Sequence, residues 1–128
     1  HRMMKIREFF LHKLGAYLWA PCPHVHVCPL SKEDWCHFSV RVPRSSLHRK
    51  LKSGDLSYED EKFCYLIFGK KELSSFFSSR IIRHPSIHSG FIEFTLCGKE
   101  GISKKIYSKK EGDLYKASKK LNWGDVIN

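Results

Sequence analysis

The stretch from Gly15 to His37, G-A-Y-L-W-A-P-C-P-H-V-H-V-C-P-L-S-K-E-D-W-C-H, decides how this chain is read. Its first part, Ala16 to Ala20, is a short apolar run with the character of a buried strand. Upstream, Met3, Ile6, Phe10 and Leu14 recur at steps of three and four and mark one face of a helix. Gly15 stops that helix. Helix, tight turn and apolar strand in that order predict an α/β unit. Downstream, Pro21, Pro23 and Pro29 remove backbone donors and exclude a helix, so residues 21–36 read as a loop. Three of the five cysteines fall in it.

Further elements follow from local pattern. A short helix is expected over Ser45–Leu51, broken by Gly54-Asp55. The acids of Ser57 to Glu61 suit a first helical turn. Lys62 to Phe68 reads as an aromatic-rich strand ended by Gly69-Lys70-Lys71, and Arg80 to His84 as extended before Pro85. Phe91 to Cys97 is the next strand, Gly98 to Gly101 a turn, and Ile102 to Lys109 an antiparallel partner. Asp113 to Leu121 reads as a helix with Leu114, Ala117 and Leu121 on one face. There is no internal repeat and no low-complexity tract.

A chain of 128 residues fits one domain or part of a larger one, and 41% hydrophobic residues permit a packed core. No apolar run approaches the roughly 20 residues that span a bilayer, so no membrane partner is expected. Residues 1–14 lack the apolar core and cleavage site of a signal peptide. The chain opens with His1-Arg2 rather than Met, and a natural N-terminus further upstream is expected. The net charge of +10 favours polyanionic partners, nucleic acid foremost. The cations fall in three groups: Arg41, Arg44, Arg49, Lys50 and Lys52; then Arg80, Arg83 and His84; then Lys104, Lys105, Lys109 and Lys110.

The odd cysteine count and the lack of secretory context argue against a disulfide framework and for metal binding. The spacing is C-x5-C-x7-C, followed at a distance by Cys97. It is looser than zinc-ribbon pairs and unlike the common ferredoxin runs. Cys64 lies among Phe, Tyr, Leu and Ile and suits the role of a small buried hydrophobe. Cys22 and Cys28, each followed by Pro in a loop, do not. Four cysteines remain, which suits an iron–sulfur cluster. Zinc held by four cysteines, or by three with His24, His26 or His37, is chemically as reasonable.

Further pieces follow one another in a specific order. They are Ala20-Pro21-Cys22-Pro23-His24, Cys28-Pro29-Leu30, Asp34-Trp35-Cys36-His37-Phe38, Arg41-Val42 and His48-Arg49. Then come Tyr58 to Phe63, Arg83, Ser89-Gly90, Leu96-Cys97, Ser108-Lys109 and Trp123-Gly124-Asp125. This order resembles the methyltransferase-like family of small-ribosomal-subunit assembly factors, found in mitochondria and bacteria. The resemblance runs from about residue 15 to the end and implies a [4Fe–4S] cluster on Cys22, Cys28, Cys36 and Cys97. It implies an α/β fold in which residues 1–128 are the C-terminal part of a Rossmann-like class I methyltransferase. The metal-binding loop 21–37 would be closed by Cys97. The strand at Ala16–Ala20 would be parallel, and those near Phe63–Phe68 and Phe91–Cys97 would form an antiparallel end to the sheet. In the family the S-adenosylmethionine site lies mostly N-terminal to such a segment. This chain has no Gly-rich strand-to-helix turn of the cofactor-binding kind, so no catalytic residue is expected in it.

The function so implied is ribosome assembly through small-subunit rRNA and ribosomal proteins, in the mitochondrial matrix or the bacterial cytoplasm. Arg41, Arg44, Arg49, Lys50, Lys52, Arg80 and Arg83 are the expected RNA contacts. Two alternatives stand beside it: part of an active S-adenosylmethionine-dependent rRNA methyltransferase, and a zinc-stabilised nucleic-acid-binding module.

Overall fold

A computed structural model of the chain describes residues 2–30, 34–73 and 77–128. Helix α1 (Arg2–Glu8) runs into a π-helical turn, Phe9–Lys13. Gly15, at a φ of +59°, ends this segment where a side chain would be strained. Strand β1 (Tyr17–Ala20) follows, then the loop, then β2 (Phe38–Pro43), α2 (Ser46–Leu51), β3 (Tyr58–Phe63) and β4 (Ile67–Gly69). The second half comprises β5 (Ser79–Ile81), β6 (Ser86–Ile87), β7 (Phe91–Gly98), β8 (Gly101–Ser108), α3 (Asp113–Ser118) and β9 (Val126–Ile127). Among the described residues every strand pairing is antiparallel.

Three sheets form. β1 pairs with β4, β2 with β3, and a five-stranded sheet is built around β7. β8 lies along one edge of β7, while β5 and β6 share the other, with β9 beyond β5. The strict alternation of β7 buries Ile92, Phe94 and Leu96 on one face. They pack with Ile81 and Tyr115, and Tyr107, Leu121 and Ile127 close the cluster. Glu93, Thr95 and Cys97 point to the opposite face, which is where the candidate site lies.

Several expectations are met: the strand at Phe91–Cys97, its antiparallel partner, the turn between them, and α2, which Ser45 caps by accepting from the His48 backbone amide. Others are corrected. β1 is antiparallel to β4, not parallel to a neighbour. Trp19 lies so close over Gly69 that any Cβ there would overlap the indole. The stretch expected to open a helix at Ser57–Glu61 is strand β3. Its acids lie opposite β2, where Asp60 meets Arg41 and Glu59 stands beside Val42 and pairs with Arg44, so cross-strand partners override local propensity. The aromatic run Lys62–Phe68 is broken, and Cys64 lies in the link between β3 and β4, half-buried rather than inside a strand. In α3 the buried residues are Tyr115 and Ser118, while Leu114 faces solvent.

Phe94 is fully buried at the centre of the core. Phe94→Ala should lower unfolding free energy in a denaturant titration by about 3–5 kcal/mol. Ile87→Ala, at a position 78% exposed, should change it by less than about 0.5 kcal/mol.

Candidate metal centre

Cys22, Cys28, Cys36 and Cys97 line one small pocket, a cavity of about 20 Å³. Three separate segments deliver them. β1 ends at Ala20, and the proline-rich loop that follows carries Cys22 and Cys28. Cys36 precedes β2. On either side of it Trp35 and His37 stack on each other at 4.3 Å, and His37 meets Trp123 edge-on at 5.1 Å. Cys97 comes from the face of β7 away from the core, beside Arg80 of β5 in the sheet register. A side chain added at Gly101, where β8 begins, would meet Pro29 of the loop. All five cysteines are unpaired thiols, and Cys64 does not line this pocket. Cys64 lines a larger adjoining recess that it shares with Cys22, Cys28 and Cys36, while Cys97 does not.

The electrostatics confirm mutual proximity. Burial pushes the Cys36 thiol up to about 12, and the neighbouring Cys22, Cys28 and Cys97 add to the rise. Cys97 is raised to about 11, again by burial first and then by Cys22 and Cys28. Burial also raises Cys22, opposed by the charge of Arg7. The metal-free Cys22, Cys36 and Cys97 thiols are therefore neutral at physiological pH, and a bound metal must displace their protons. No three His, Cys, Asp or Glu side chains among the described residues are close enough to hold a single metal ion.

Two residues at the site escaped the sequence reading as site residues. Arg7 of α1 is buried and donates through Nη2 to the carbonyls of His24 and His26 at 3.0 and 2.8 Å. His24, weighed only as a substitute ligand, is buried with Nε2 3.8 Å from the Cys97 sulfur. Burial lowers its pKa, with Arg7 adding to the effect. An arginine on an amphipathic helix reads as surface charge, so sequence held no signal for Arg7.

The expected RNA-binding cations divide. Arg80 turns inward: it lines the thiol pocket and donates to the carbonyls of Pro21 and Gly124. Arg83 pairs with Asp34. Arg41 forms a two-bonded pair with Asp60 and lies over the Tyr58 ring. Arg44 is half-buried against Glu59, and Lys52 reaches the same carboxylate at 3.6 Å. Hydrogen bonds from Glu61 and Arg44 hold Glu59 down at about 2. Arg49 and Lys50 of α2 are exposed and make no ion pair among the described residues. In the third group Lys104 pairs with Glu93.

Residues 1–128 match the model of one protein family, described as the mitochondrial small ribosomal subunit Rsm22. No curated protein matches significantly.

The raised thiols fix a pH dependence for the metal-free protein. A thiol whose folded pKa lies above its unfolded value favours folding while both states stay protonated. That contribution is lost as pH rises from the ordinary value of 9.0 toward about 12 for Cys36 and about 11 for Cys97. Melting temperature of the metal-free protein should therefore fall across that window. The Cys36→Ala, Cys97→Ala double variant should show a flatter profile.

Proposed function

The chain belongs to the Rsm22 family, and from that premise we propose that it is a small-ribosomal-subunit assembly segment that binds rRNA. In this reading Cys22, Cys28, Cys36 and Cys97 hold a [4Fe–4S] cluster as a structural clamp. The same reading places the chain in the C-terminal part of a Rossmann-like methyltransferase fold, with the S-adenosylmethionine-binding half outside these residues. In a eukaryotic host it places the chain in the mitochondrial matrix. The observation that carries the metal reading is the convergence of Cys22, Cys28, Cys36 and Cys97, from three distant segments, on one pocket.

The donor chemistry fits the group. Four cysteines are the usual ligand set of such clusters. The thiols ring a pocket, yet no three side chains are drawn together around a point. A bound cluster would supply metal–thiolate bonds joining the loop, the Cys36 segment and β7. Linking Cys36 to Cys97 closes a loop of about 60 residues, worth about 4 kcal/mol on the scale of a comparable disulfide.

For RNA, the surface supports a narrower patch than the sequence does. Arg49 and Lys50, the cations of α2 with no carboxylate partner among the described residues, are the ones this reading sets against phosphate. Arg41, Arg44 and Lys52 already hold carboxylates of β3.

Two experiments test the proposal. Serine at Cys22, Cys28, Cys36 or Cys97 should strip the metal from anaerobically purified protein, and Cys64→Ser should retain it. Full loading in Cys97→Ser would contradict the ligand set. Arg49→Glu with Lys50→Glu should weaken binding to small-subunit rRNA and flatten the salt slope by roughly two contacts' worth, with metal content unchanged. An unaltered slope would remove α2 from the interface.

A further inference from the structure

Helix α1 has one buried side chain, and it is a charged one: Arg7, 2% exposed. Its guanidinium reaches the thiol pocket from outside the loop. Nη2 grips the loop between Cys22 and Cys28 at the carbonyls of His24 and His26, and its charge opposes the rise of the Cys22 thiol. Its field extends to Cys97. Nη1 pairs with Glu8 at 2.9 Å, but Glu8 is half-exposed and shared with His12. Nε is buried without a hydrogen-bond partner.

A buried guanidinium with an unmet donor is costly unless an anion lies close by in the same low-dielectric space. Glu8, open to water, answers only part of that demand. Four thiols stand on the other side and become anionic when they ligate metal. Arg80 adds a second cation at the pocket, but its donors are engaged by the carbonyls of Pro21 and Gly124.

We infer that Arg7 is the positioning and counter-charge residue of the thiol centre, fixing the Cys22–Cys28 loop by two carbonyls and balancing the charge of the loaded thiolates. Through it α1 is tied to the centre. The inference rests on the metal reading above. It goes further in separating two roles, the geometry of the fork and the charge it carries, which substitution can divide.

The test uses the whole protein, purified anaerobically as wild type, Arg7→Gln and Arg7→Lys. Bound iron and zinc, the rate of metal loss to excess EDTA and the midpoint reduction potential are measured. Arg7→Gln should lose metal ~10- to 100-fold faster, the usual effect of removing a group that supports metal ligands. Its midpoint potential should move to more negative values, because a lost positive charge disfavours the more negative reduced state. Arg7→Lys should restore the potential, having the charge, but not the lifetime, lacking the fork. Wild-type lifetime and potential in Arg7→Gln would overturn the inference. If Arg7→Gln does not fold, wild-type lifetime in Arg7→Lys overturns the positioning role. Bound zinc without iron would defeat the cluster while the EDTA rates still decide on Arg7; no bound metal at all would defeat both.

Discussion

The alternation of β7 divides the molecule. Ile92, Phe94 and Leu96 turn to the core beneath α3, and Cys97 turns the other way, beside Arg80 of the neighbouring strand. A one-residue slip of this strand would bury the thiol in the core and expose the phenyl ring. Eight residues paired in unbroken register with β8 hold it in place. The other three thiols come to Cys97: two on a loop restrained by prolines and gripped by Arg7, one on a segment fixed by the Trp35–His37 stack and by Trp123. The core therefore supplies the fixed wall of the pocket, and the loop supplies the part that metal would fasten.

Charge is spent locally to a degree that the net value conceals. The chain carries +10, yet on the β2–β3 hairpin Arg41, Arg44 and Lys52 meet Asp60 and Glu59. Arg7 and Arg80 line the thiol pocket. An exposed pair such as Arg41–Asp60 adds little stability. The effect of these pairs here is to select which cations remain open to a polyanion. A run of basic residues counts charges along the chain, whereas binding depends on those left unmatched in space.

Cys22, Cys28 and Cys36 stand out in the sequence because prolines and tryptophan flank them, whereas Cys97, between Leu96 and Gly98 in a strand, joined them only through the resemblance and by setting Cys64 aside. β7 and β8 were legible from alternation, and α2 from the Ser45 cap and the Gly54 break. β2 was missed because Val40 and Val42 stay exposed and arginine and proline interrupt the pattern. β3 was misread because its acids have partners nineteen and fifteen residues back, which a local reading cannot see. The parallel setting expected for β1 failed for the same reason: strand direction is fixed by the partner, and β4 was hidden in the tail of a longer aromatic run. Arg7 and Arg80 carried no distinguishing signal, since an inward cation and a solvated one look alike until the pocket between them is assembled.

The claim on which the account turns is that the four thiols hold iron and sulfide together. Mössbauer spectroscopy of the anaerobically purified protein, enriched in the iron isotope and assayed in parallel for sulfide and zinc, tests it most directly. The account predicts about four irons and about four sulfides per chain, with all the iron in one exchange-coupled cluster. One zinc per chain, with no sulfide and no iron signal, would contradict it.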